Sequence, residues 1–167
     1  MEHAIPALVI AAIIIVGGVV LADATRGSLQ TVDQSWRDIE AISEERLGTE
    51  LTVVSTNVAD GGATVSLVMK NEGRTAITEP AHLDLIINYD GADDERHVVW
   101  LPYTESSPPG DNEWTVDSIS GDYRNPGILD SDEEMTVQIR LNPPTEDGPD
   151  RWLVLATDTG VAYSIYF

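Results

Sequence analysis

The chain changes its hydrophobic rhythm twice, and each of the three stretches predicts a different element. Ala4 to Ala22 runs for 19 residues without a charge and is apolar on every side. A helix of about 20 such residues can cross a hydrocarbon layer or fill the centre of a bundle, but it has no polar side to offer water. From Asp23 to Leu47 the apolar residues thin out to spacings of three and four. Leu29, Val32, Trp36, Ile39 and Ile42 form the stripe, and Asp33, Arg37, Asp38, Glu40, Glu44 and Glu45 lie between them. This spacing predicts an amphipathic helix with Gly48 as its stop. Unbroken from Ala4 to Leu47, the helix would be roughly 65 Å long at 1.5 Å per residue. Its first half would be buried fully, and the lower stripe would pack on the rest of the chain or on neighbours.

From Glu50 the period becomes two. Leu51, Val53 and Ser55 alternate with Thr52, Val54 and Thr56, Gly61-Gly62 makes a turn, and Ala63 to Met69 returns, which reads as a hairpin. Further strands are expected at Leu83 to Tyr89, His97 to Tyr103, Glu113 to Ile119, Met135 to Leu141, Trp152 to Thr157 and Val161 to Phe167. Asp90-Gly91, Ser106 to Gly110, Asn125-Pro126-Gly127, Asn142-Pro143-Pro144 and Asp158-Thr159-Gly160 supply turns between them. Short strands at regular spacing predict an immunoglobulin-like sandwich. The expected fold is α+β: a long N-terminal hydrophobic α-helix followed by an immunoglobulin-like antiparallel β-sandwich. Residues 1–48 form the helix, as filament core or membrane anchor and then stem, and residues 49–167 form the head. No internal repeat interrupts this plan.

Composition narrows the function. Of 167 residues, 29 are acidic and 9 basic, a net charge of −20, and Lys70 is the one lysine. Such a field repels nucleic acid, so no nucleic-acid partner is expected. It suits a surface kept solvated in a saline environment, with divalent-cation binding by carboxylates as the sharper alternative. Asp90, Asp93 and Asp94 are the candidate ligands there, helped by nearby Asn88 and Gly91. Asp130, Asp132, Glu133 and Glu134 form a second cluster. Neither has the spacing of an EF-hand, and solvated turn acids are the plain reading. The chain has no cysteine, which removes disulfides, thiolate catalysis and cysteine metal sites. His3, His82 and His97 have no paired-ligand spacing. No GxSxG, GxGxxG or P-loop pattern occurs. No enzyme activity and no cofactor are expected. Trp36, Trp100, Trp114 and Trp152 suit a sandwich core or an interface.

The N-terminal flank, Met1-Glu2-His3, has no Lys or Arg. A retained anchor with its head outside carries basic residues on the cytoplasmic side. The flank therefore predicts either a short basic leader removed before Met1, or a segment that is never a simple anchor.

A long apolar helix, Ala7 to Val16, followed by Val65-Ser66-Leu67-Val68-Met69-Lys70-Asn71-Glu72-Gly73-Arg74, resembles the archaeal type IV filament superfamily. That group includes archaellins and the archaellum stator proteins F and G. The second stretch looks like the strand, Lys-Asn-x-Gly, Thr element of those heads; its turn suits residues that tolerate positive φ. Asn125 to Asp130, ahead of Glu133-Glu134-Met135, resembles another turn that precedes a strand in such sandwiches. The chain departs from the group in having no Lys/Arg-Gly cleavage site, Ile5 where bacterial pilins have an acid, and no Asn-x-Ser/Thr sequon. The resemblance implies an extracellular structural subunit for motility or adhesion, inserted in the membrane before assembly into a helical homopolymer, with a second related subunit as a further partner. Ile5, Leu8, Ile10, Ile13, Ile14, Gly17, Gly18 and Leu21 are the expected helix-core assembly positions. Leu29, Val32, Trp36 and Ile39 are the expected stem-to-head contacts. The nearest alternative is a membrane-anchored stator-like protein whose head binds the surface layer or another envelope component.

Overall fold

A computed structural model of the chain describes residues 32–148 and 150–167. The expectations at Ile5, Leu8, Ile10, Ile13, Ile14, Gly17, Gly18, Leu21 and Leu29, and at His3, lie outside the described residues. Residues 32–48 are helical and are labelled α1. Among the described residues no helix is long and apolar enough to cross a membrane. The chain divides into two units at Ser43–Glu44, so the last turn of α1 belongs with the strands that follow.

Eight strands follow: β1 (Leu51–Ala59), β2 (Thr64–Asn71), β3 (Asp84–Asp90), β4 (Arg96–Leu101), β5 (Glu113–Ser120), β6 (Glu134–Arg140), β7 (Trp152–Ala156) and β8 (Ala162–Tyr166). They form two four-stranded sheets with orders β1-β2-β6-β5 and β4-β3-β7-β8. All the pairings within them are antiparallel. Relabelled A to G, these are the A-B-E-D and C-F-G sheets of an immunoglobulin constant domain, with β4 added beside C.

The core is written by alternation. Val65, Leu67 and Met69 on β2 face Leu85, Ile87 and Tyr89 on β3, while Met135, Val137 and Ile139 on β6 and Leu153 and Leu155 on β7 complete the two inner faces. Ile77, Leu83, Leu129 and Leu141 cap the sandwich from its loops. Trp114 from β5 is fully buried and meets Tyr103 edge-on, with ring centres 4.9 Å apart. Among the described residues every buried core residue falls between Leu51 and Ile165.

Strand β1 departs from its expected phase. The register slips between Val53 and Ser55, and Thr56 and Val58, not Ser55, return to the side that faces Leu67 and Val65. Only Leu51 of this edge strand is buried, and Val53 and Val54 are both exposed. A bulge adds one residue against the partner and flips the faces beyond it.

Candidate functional site

The last carbonyls of a helix have no partner within it and must find one elsewhere. In α1 they find the turn after β2. The Gly48 carbonyl accepts the backbone N–H of Arg74 at 2.8 Å and of Thr75 at 3.1 Å. Thr75 Oγ1 and Thr49 Oγ1 donate to the Glu45 carbonyl at 3.2 and 2.8 Å. Thr49 N–H donates to the Arg46 carbonyl at 3.2 Å. One residue on, the Glu50 carbonyl accepts from both Glu72 and Gly73 at 2.8 and 3.0 Å.

This seat explains the Lys-Asn-x-Gly-Arg-Thr element residue by residue. Asn71 is fully buried. Its Nδ2 donates to the Thr75 and Leu129 carbonyls at 2.9 and 3.1 Å, and its Oδ1 accepts Gly73 N–H at 3.0 Å. The side chain thus holds the turn in shape and ties it to the loop before β6. Gly73 is required by proximity: a Cβ there would strike the Gly48 carbonyl oxygen and the Glu50 nitrogen. Gly48 is required for the same reason, against Thr75 Oγ1. The expectation that Asn71 and Gly73 need positive φ is corrected, because neither adopts it. Lys70, at the end of β2, reaches Asp132 at 3.1 Å. The hydrogen bond to Asp132 holds its ammonium pKa above the usual lysine value.

From the other sheet, the Tyr163 hydroxyl donates to the Thr49 carbonyl at 3.3 Å and accepts Leu51 N–H at 3.1 Å. Arg46 Nη2 reaches the Gly160 carbonyl at 3.3 Å. Both sheets therefore grip the segment that links α1 to β1. Sequence reasoning missed Thr49, Thr75 and Tyr163. The Lys-Asn-x-Gly signal pointed at the turn but not at what it receives.

The expected stem contacts Val32, Trp36 and Ile39 lie on α1 at relative exposures of 50, 67 and 59%. The candidate cation ligands sit at the end of β3 and in the turn to β4, where Asp90 and Asp93 are engaged by side chains of the chain itself. Asp90 accepts Arg96 Nη1 on both oxygens at 3.1 and 3.0 Å. Asp93 meets His97 Nε2 at 3.0 Å, and this hydrogen bond holds its carboxyl below the usual aspartate value. The His97 ring stacks on Tyr89, whose hydroxyl burial pushes up. Asp94 supplies the left-handed turn residue, φ 61°. In the second cluster Asp132 meets Lys70, and Asp130 Oδ2 accepts Asn125 Nδ2 at 2.7 Å. Glu133 Oε2 accepts Asp130 N–H at 2.9 Å, an arrangement that fixes the turn before β6. Among the described residues no three acids or histidines converge as metal ligands. Of the other expected aromatic positions, Trp114 is core, Trp152 is half-buried on β7 and Trp100 is exposed on β4.

No family model matches the sequence, and no curated protein matches it. Solved structures do. The archaellum periplasmic stator protein FlaG from Sulfolobus acidocaldarius superposes with a TM-score of 0.54 at 20% identity, over 71% of this chain and 99% of that one. The stator complex of FlaF and FlaG from the same organism gives 0.53 at 20% identity, over 71% and 89%. The archaeal flagellum of Methanospirillum hungatei strain JF1 gives 0.61 at 13% identity, over 97% and 90%. The chain therefore shares the fold of these archaellum stator and flagellum structures.

Proposed function

We propose that the chain is a structural, non-enzymatic subunit of an extracellular archaellum-like or type IV pilus-like filament. In this reading the segment from Ile5 to Leu21 builds the core and the head from Glu50 to Phe167 builds the sheath. The observation that carries it is the seat. A subunit that hands load from a core helix to an outer head needs its helix end bonded into the head. Here the Glu45, Arg46 and Gly48 carbonyls are all bonded within the sandwich unit. The match to the flagellum over 97% of the chain supports a unit that includes what precedes the sandwich. A helix apolar on all sides gains close packing at Gly17-Gly18 when similar helices surround it. Moving it from membrane to fibre core exchanges one apolar environment for another.

The second reading, a membrane-anchored stator-like protein whose head binds an envelope component, is favoured by the FlaG match over 99% of that chain. Negative-stain microscopy of sheared cell-surface material, with mass spectrometry of the same sample, separates the two. Thin fibres containing this chain support the filament. Absence from fibres, with intact chain in the membrane fraction, moves the assignment to the stator. Replacing Gly17 or Gly18 by Leu should abolish fibres and leave the head folded; normal fibres from both variants would refute close packing there.

A further inference from the structure

The two sheets present unlike faces to solvent. Outward positions of the β1-β2-β6-β5 sheet include Ser66, Lys70, Glu134, Thr136 and Gln138. An antiparallel sheet with one side in water reads this way. The β4-β3-β7-β8 sheet does not. Its register sets Trp100, Ile86 and Val154 in one outward row, flanked by Val98 and by Trp152 beside Tyr166. Val98 is 64% exposed, Trp100 56% and Tyr166 70%. Asp84, at one end of β3, accepts Trp100 Nε1 at 3.0 Å, and Asp90 at the other end is paired with Arg96. In a chain of net charge −20, a sheet face whose middle rows are uncharged and largely apolar marks an interaction surface.

Its size says what kind. Four strands at about 4.8 Å and three outward rows at about 6.8 Å give roughly 400 Å² per copy, or about 800 Å² with the partner counted. That is below the ~1,200 Å² of a stable free complex. The occupant must be held close by other contacts, as a neighbouring subunit is. The same chain carries a second exposed apolar surface narrow enough to lie within this face, since a helix is about 10 Å across. Val32, Trp36 and Ile39 recur at i, i+4 and i+7 on one side of α1. The acids between them sit at the margins of that stripe, so the stripe itself brings apolar side chains to the uncharged middle rows of the sheet face.

Resting on the filament reading above, we propose that the outer β4-β3-β7-β8 face of one copy receives the Val32–Trp36–Ile39 stripe of a neighbouring copy. The two surfaces differ, so the contact is heterologous, the class of contact that an open filament requires.

The absence of native cysteine permits a clean test. Two differently tagged copies are co-expressed, one with Trp36→Cys and the other with Val98→Cys, and are oxidised on the cell surface or in membranes. The expected result is a mixed-tag disulfide dimer several-fold more abundant than from Trp36→Cys with Gln138→Cys on the polar sheet. Equal yields from the two pairs, or a dominant Val98–Val98 product, would each overturn the contact. A second variant, Val98→Lys, changes an exposed position and should leave thermal unfolding within about a degree of the parent while reducing fibre yield at least several-fold; unchanged yield counts against the proposal. Failure of the filament reading is separate, since it is read from whether the parent chain is in fibres at all.

Discussion

Asn71→Ala probes the seat at its most buried polar side chain. Three hydrogen bonds are lost, to the Thr75 and Leu129 carbonyls and from Gly73 N–H. Two of the abandoned groups keep a partner: the Leu129 carbonyl still accepts Ile77 N–H at 3.1 Å, and Gly73 N–H still donates to Glu50 at 3.0 Å. The Thr75 carbonyl, on a half-buried residue, has Asn71 Nδ2 as its one partner among the described residues, so it is left to water. At about 1 kcal/mol for each bond whose partner is rescued, and about 1–2 for a half-buried acceptor, the loss is about 3–4 kcal/mol. For a unit the size of Glu44–Phe167, that lowers the melting temperature by roughly 10–20 °C. Thermal and urea unfolding of the chain supply the measurement. Asn71→Asp sharpens the argument, because it keeps shape but points a carboxylate oxygen at two carbonyls. Its folded pKa must rise above the unfolded value of about 3.9, so the folded state holds the proton longer. Relative to the parent, the variant is least destabilised below about pH 4 and loses ground as pH rises through the raised folded pKa. A cost below about 1 kcal/mol for Ala, or a flat pH response for Asp between 3 and 7, refutes the account of the seat.

Gly73→Ala drives a methyl into the Gly48 carbonyl and should cost about 2 kcal/mol or more; denaturation with a midpoint equal to the parent's would mean the approach is looser than described. Tyr163→Phe removes the hydroxyl between Thr49 and Leu51, with an expected loss of about 1–2 kcal/mol, read by urea unfolding against Tyr166→Phe, whose side chain is exposed. The Asp93 carboxyl should titrate below its ordinary 3.8, so the contribution of its contact with His97 is present above that pH and fades as pH falls through the lowered value. In the His97→Ala variant, carbon-13 NMR should find the Asp93 midpoint back near the ordinary value; a midpoint unmoved by the substitution assigns the shift elsewhere.

The strands were legible because period two and turn chemistry agree along this chain. Gly61-Gly62, Asp90-Gly91 and Asp158-Thr159-Gly160 each punctuate runs whose alternate residues are large and apolar, and the eight expected strands match the observed ones to within a few residues at each end. Strand β1 was misphased because Leu51-Thr52-Val53-Val54-Ser55-Thr56 has apolar residues at both parities around the bulge, and only pairing with β2 decides where the extra residue goes. The seat was half legible. Gly48 read as a helix stop and Gly73 as a turn, each from local rules. Their real constraint is mutual, a backbone approach between segments 25 positions apart, and no local pattern encodes it. Tyr163 is further still from Leu51, at a separation of 112. Asp90 and Asp93 read as free oxygen donors because the acids were counted before the hairpin was built. Once β3 pairs with β4, Asp90 faces Arg96 across the strands.

The difference between the two outer faces was present in the sequence in a form that alternation alone does not expose. His97-Val98-Val99-Trp100-Leu101 and Trp152-Leu153-Val154-Leu155-Ala156 are apolar at both parities, whereas Thr64 to Lys70 puts Ser66 and Lys70 opposite Val65 and Met69. A strand apolar at one parity has one side in water; a strand apolar at both is buried on both sides. In β4 and β7 one parity fills the sandwich core, and the other faces out at Val98, Trp100 and Val154. Placing those residues in solvent leaves unrecovered about 25 cal/mol for each Å² of apolar surface, the return that burial gives the core positions. The face covers roughly 400 Å², and were all of it apolar the limit would be about 10 kcal/mol before the costs of association are met. Association of two −20 chains is opposed by their charge at nearly every other approach. A face with uncharged, largely apolar middle rows is thus the place where copies can meet most cheaply. High salt should strengthen that contact twice over, by screening the acids and by favouring apolar burial. Assembly that weakens as salt rises would place the main contact on ion pairs and refute this assignment.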